Sequence, residues 1–139
     1  MVTMLRKILC RLALMLLLFL PVGCVSKQIH RPKLQDLEYT IIMEEKVPHE
    51  LLTIIQRKKM RPFRLSYADQ GVWYLARGYG AQGKTGYRVT VEELYETDSY
   101  VCLRTTLWGP EKREKTEEIE TYPYVVVRFG YRDKNIVFE

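Results

Sequence analysis

The sequence predicts an α+β chain that is mainly antiparallel β: a meander or sandwich-like sheet of about 6–7 strands with one amphipathic helix. Three observations carry this. From residue 63 onward the apolar residues recur with period two, in stretches rich in Val, Tyr, Thr and Leu. Turn residues separate these stretches at 68–71, 78–86, 96–99 and 109–110. One segment alone, 48–59, has helical periodicity.

The N-terminus reads as export machinery. Arg6, Lys7 and Arg11 precede an unbroken apolar run at 12–20, closed by Pro21, Val22, Gly23 and Cys24. Nine residues make about 14 Å of helix, half of a hydrocarbon core of about 30 Å, so the run suits a signal better than a permanent span. Gly23-Cys24 resembles a bacterial lipobox, with Pro21 where leucine is usual. The expectation is a lipoprotein-type signal over 1–23, with Cys24 lipidated (palmitate among the acyl groups). A polar tether follows over 24–36, and a single β-rich domain over 37–139. The chain then lies in the bacterial cell envelope, extracytoplasmic and membrane-anchored, with a protein as its other partner.

Charge excludes one class of function. The chain carries +5, but removing the three signal cations leaves 19 basic against 17 acidic side chains. That balance argues against nucleic acid. Of three cysteines only Cys102 remains in the domain, so no internal disulfide holds it. Cys102 lies in an alternating stretch and reads as a small strand residue.

In order, the domain opens with a strand over 37–43. A helix starts at Pro48, placed at the first helical position, and turns Leu51, Leu52, Ile54 and Ile55 to one face before Pro62 ends it. Arg57, Lys58, Lys59, Arg61 and Arg64 gather at its end as solvated cations favoured near a helix C-terminus. Strands are expected over 63–67, 72–79, 87–95, 100–108 and 124–129, with a last short one over 135–138. Residues 111–120 mix both signs and read as a solvated loop or a helical turn with paired charges.

Residues 78–85, GYGAQGKT, satisfy the phosphate-loop pattern, and Gly78, Gly80 and Gly83 satisfy G-x-G-x-x-G. Both motifs hold phosphate on the free N–H groups at a helix N-terminus. Here residues 86–91 alternate with β-branched side chains, so a strand follows and no nucleotide site is expected. The glycines instead serve a connection that needs positive φ.

No other chemistry emerges. His30 and His49 stand alone, no serine–histidine–acid set has workable spacing, and Glu92 and Glu93 are neighbours that a strand turns to opposite faces. No cofactor, metal site or enzymatic activity is expected.

Residues 74–78 (YLARG), the loop from Gly80 to Gly86-Tyr87, the strands over 88–94 and 101–107, and Tyr122-Pro123-Tyr124-Val125-Val126-Val127 together resemble the C-terminal domain of the PrcB family, known as protease complex subunits. The likeness extends from Trp73 to Phe129; the family loop usually reads Thr-Gly-Gly-Tyr where this chain has Lys84-Thr85-Gly86-Tyr87. It implies a non-catalytic lipoprotein that assembles with or regulates an exported or surface protease. The Gly-Tyr tip is also similar, more loosely, to chagasin-type cysteine protease inhibitors, and a generic envelope peptide-binding lipoprotein is a third reading. The candidate protein-binding loop comprises Gly80, Gln82, Gly83, Lys84, Thr85, Gly86 and Tyr87, with Tyr122 and Tyr124 beside it. Pro123, lacking an N–H, is expected at an edge or a bulge.

Overall fold

The computed structural model describes residues 2–5 and 32–139. The chain divides into two compact units, Met1–His30 and Arg31–Glu139. Residues 2–5 are helical. Among the described residues no helix is long and apolar enough to cross a membrane. The signal over 1–23, Cys24, His30 and most of the tether fall outside the described residues.

The second unit is a two-sheet sandwich with a helix on one outer face. Its eight strands are β1 (Gln35–Asp36), β2 (Thr40–Ile41), β3 (Pro62–Asp69), β4 (Val72–Tyr79), β5 (Arg88–Glu96), β6 (Tyr100–Trp108), β7 (Tyr124–Gly130) and β8 (Asn135–Phe138), and the helix α1 spans His49–Lys58. One sheet has the order β1-β5-β6-β8 and the other β2-β7-β4-β3. Every pairing is antiparallel except β6 with β8. The expected sandwich is therefore present. The alternative, a single meander, fails because β4 and β5 lie in different sheets, as do β6 and β7.

Period two sorts the core. Leu75, Val125, Val127 and Phe129 face the other sheet, meeting Leu94, Val101 and Leu103. The intervening residues, Ala76 and Val126, face outward under Leu51 and Ile55 of α1. Strand β7 is thus buried on both faces, which is why 125–127 is an unbroken valine run.

Several local expectations need correction. Residues 37–43 do not form one strand. Leu37 is buried between the sheets and its N–H bonds to Leu94 in one sheet, whereas the N–H of Ile42 bonds to Val126 in the other. The chain therefore crosses between sheets here and pairs for only two residues on each. Pro48 is the N-cap of α1 rather than its first helical residue; its carbonyl accepts the N–H of Leu52. Ile54 sits at the margin of the apolar face and is 36% exposed.

The β3–β4 hairpin turns on Gln70 (φ 47°) and Gly71 (φ 78°), both left-handed, the geometry that matches the twist of a two-residue hairpin. Cys102 is a buried thiol on β6 beside Tyr95. The Tyr95 hydroxyl is pushed up to about 12, by burial first, then by Cys102 and Glu139.

Candidate functional site

Both long connections, 80–87 and 109–123, cross from one sheet to the other at the same end of the sandwich. The glycine-rich segment is therefore no hairpin. It is one of two crossovers, and the two are bound to each other. Gln82 and Thr121 exchange both backbone hydrogen bonds, at 2.8 and 2.9 Å. The N–H of Thr85 donates to the carbonyl of Glu117 at 3.0 Å, and the N–H of Glu117 donates to Thr85 Oγ1 at 2.9 Å. Thr121 Oγ1 donates to the carbonyl of Lys84.

The glycines follow from this contact, each for its own reason. Gly80 (φ 79°) and Gly86 (φ 96°) need the left-handed region, and a Cβ on Gly86 would lie 2.7 Å from Pro110 Cβ across the crossovers. Gly78 has no such φ; its place is fixed by the ring of Phe63, 2.1 Å from where a Cβ would stand. Gly83 is exposed with open space around it. Positive φ thus accounts for two of these four glycines, not all of them.

The phosphate-loop pattern lacks the helix N-terminus on which its cradle is built. Three N–H groups of the loop are also engaged within the chain, Ala81 to Met60, Gln82 to Thr121 and Thr85 to Glu117. The segment after the loop is the strand β5, as its alternation predicts. Among the described residues no three His, Cys, Asp or Glu side chains converge as metal ligands. Glu93 pairs with Lys33 and Arg104, while Glu92, at a bulge, accepts from Thr90, so the two carboxylates serve separate contacts.

The candidate tyrosines have distinct settings. Tyr87 is half-buried and its ring lies against Gly109. Tyr122 donates to Glu120 and lies under Lys59 Nζ, 4.8 Å from the ring centroid. Its hydroxyl pKa is raised, by the Glu120 bond first and then by desolvation. Tyr124 packs among the α1-side core with its ring 6.3 Å from that of Phe63, and its hydroxyl donates to Glu44 Oε2 at 2.7 Å. Burial, then Glu44, hold that hydroxyl far above the ordinary tyrosine range.

Beneath the loop, Tyr79 reaches across the sandwich to donate to the carbonyl of Thr105, at 2.9 Å. The Arg77 guanidinium covers the Tyr79 ring at 4.5 Å and donates to the carbonyls of Phe63 and Gly78. Sequence reasoning missed Arg77, Tyr79, Glu44 and Lys59 as parts of this end. The only signal available was that Arg77 and Tyr79 share a face of β4.

Two further expectations can be placed. Residues 111–120 are exposed throughout, the solvated loop of the two alternatives, and Glu111 and Glu114 both face Arg88 on β5, at 3.4 and 4.0 Å. Pro123 precedes a strand start that β2, paired only at 127–128, leaves open on one side, as expected of an edge; its ring nitrogen turns to the covered side, where its carbonyl accepts from the N–H of Tyr79. The missing N–H is tolerated because the Gln82 side-chain amide stands 3.5 Å from the Tyr79 carbonyl that it would have met.

No curated protein and no solved structure matches the chain. Residues 73–129 match the PrcB C-terminal family. The matched segment runs from β4 to β7 and contains both crossovers. Over residues 73–129 the likeness read from the sequence is matched: this segment is similar to the PrcB C-terminal family.

Proposed function

We propose that the chain is a non-catalytic lipoprotein, anchored through Cys24, whose β domain is an accessory or assembly subunit of an exported protease. The observation that carries this reading is the PrcB C-terminal match, because the matched segment supplies both crossovers that meet at one end of the sandwich. A glycine-rich connection held rigid by its neighbour presents Gln82, Gly83 and Lys84 without ordering cost on binding. Tyr87, Tyr122 and Tyr124 supply rigid amphipathic area nearby. The apolar run before Cys24 supports an extracytoplasmic, membrane-held location.

The test isolates the tagged full-length chain from envelope membranes under mild detergent and assays the eluate for proteolysis. The expected result is one protease in near-equimolar amount, whose activity does not fall when excess chain is added. Absence of a protease overturns the reading. Stoichiometric inhibition overturns it in favour of a direct inhibitor.

A further inference from the structure

Strand β7 is only half covered on its β2 side. Consecutive residues of an antiparallel strand direct their N–H and C=O to opposite sides. Residues 121 and 123 turn toward the loop and β4, as their bonds to Gln82 and Tyr79 show. Val126 turns to the other side and accepts the N–H of Ile42 at 3.0 Å, the last bond that the β2 segment makes. The chain then leaves β7 into the single 3-10 turn Glu44–Lys46, whose bonds close on Met43 and Glu44. Tyr122 and Tyr124 direct their main-chain groups to the side that β2 has vacated. Among the described residues these two N–H and two C=O groups have no hydrogen-bond partner.

An open groove of about 450 Å³ lies along this edge. Its walls include Ile41 and Met43, which are 55% and 75% exposed, and Val89 from β5. Its only charged residues are Glu44 and Glu45, and among the described residues neither has a cation within 4 Å. Unclaimed rungs, exposed apolar walls and two carboxylates define one kind of ligand.

We infer that the β7 edge at Tyr122 and Tyr124 takes up an extended segment of a partner protein by strand addition, with a Lys or Arg between apolar residues of that segment. The main chain of the segment fills the two open rungs, its apolar side chains cover Ile41, Met43 and Val89, and its cation meets Glu44 and Glu45. Four residues of strand, about 13 Å, span the rungs. The inference rests on the reading of this domain as a protein-binding module and names the chemistry of the partner at that site.

The test uses the full-length chain in detergent micelles and the peptide acetyl-Val-Lys-Val-Lys-Val-amide, with residue-resolved amide hydrogen exchange as the readout. At about 1 mM peptide the amides of Tyr122 and Tyr124 should slow about tenfold or more. The Val-Glu counterpart should leave both unchanged. Glu45→Lys, at a side chain with no hydrogen bond or ion pair among the described residues, should reduce the slowing severalfold with the fold intact. No slowing, or equal slowing by the Val-Glu peptide, overturns the inference. So does a concentration-dependent dimer that protects the same amides without peptide, since the occupant is then a second copy. Protection at Tyr122 and Tyr124 in a chain that captures no protease upholds the edge and removes only the protease reading.

Discussion

Gly78→Ala should destabilise the domain through one ring. The added Cβ would stand 2.1, 2.5 and 2.6 Å from three carbons of Phe63, where ordinary contact is about 3.5–4 Å. Phe63 is 7% exposed, with Leu51 and Ile55 in its cluster and the Tyr124 ring beside it, so the ring has little room to yield. Overpacking of this kind costs about 1–3 kcal/mol, offset by about 0.4–1 kcal/mol from a stiffer unfolded chain. The net expectation is a loss of about 1–2 kcal/mol. Phe63→Ala alone should cost about 3–5 kcal/mol through its cavity. In the double variant the new methyl group enters space that the ring vacated. The combined loss should then fall short of the sum by about 1–3 kcal/mol. Urea unfolding followed by Trp73 and Trp108 fluorescence measures all three. Additivity within about 0.5 kcal/mol would refute the claim that the Phe63 ring dictates glycine at 78.

Other outcomes follow from the same structure. Glu96 is buried, with Lys134 Nζ at 2.9 Å and Gln35 also donating to it, and these two bonds, Lys134 first, hold its pKa below the ordinary carboxylate value. A lowered folded pKa gives stability that is present above about pH 4.5 and lost as pH falls through the folded value. Lys134→Ala should therefore cost about 1–3 kcal/mol at pH 7 and flatten the acid limb of a thermal-melt series. Calorimetry with Mg–ATP should show no saturable binding below about 100 μM, and Lys84→Ala should leave the trace unchanged, because the loop runs into the strand β5 and offers no helix N-terminus. Cys24→Ser should move the chain from the membrane to the soluble envelope fraction and change its mature mass; an unchanged distribution and mass would remove the lipoprotein reading.

Much of the secondary structure was legible because its signals are local. Alternation at 89–91 and 101–107 marks β5 and β6, and Asp69-Gln70-Gly71 marks a tight turn. The allotment of strands to sheets was not legible, since an inward valine looks alike in either sheet. Nor was the parallel β6–β8 pair, which depends on where the chain returns after β7. Residues 80–87 have the composition of a hairpin, yet their course is set by Thr121 and Glu117 on the other crossover, a distant pairing with no local trace. The direction of the Pro123 nitrogen was hidden for a related reason: it faces β4, where Gln82, a side chain far off in sequence, offsets the lost donor. At the candidate site the loop and its tyrosines were readable as residue types. The acids of 44–45 and the exposed Met43 join them only because 37–43 crosses between sheets instead of continuing as a strand.

The central claim is that the pinned crossover end holds the protease partner. The direct measurement is the affinity of the full-length chain for the co-isolated protease, with and without Gln82→Ala and Lys84→Ala together. Neither change removes a backbone–backbone bond of the loop, and Gln82→Ala gives up only its 3.5 Å contact with the Tyr79 carbonyl, so the fold should persist, as circular dichroism and a thermal melt would verify. Loss of two contacts at the loop predicts a dissociation constant raised about tenfold or more. An unchanged constant with an intact fold would show that residues 80–87 are connection only, and would contradict the account.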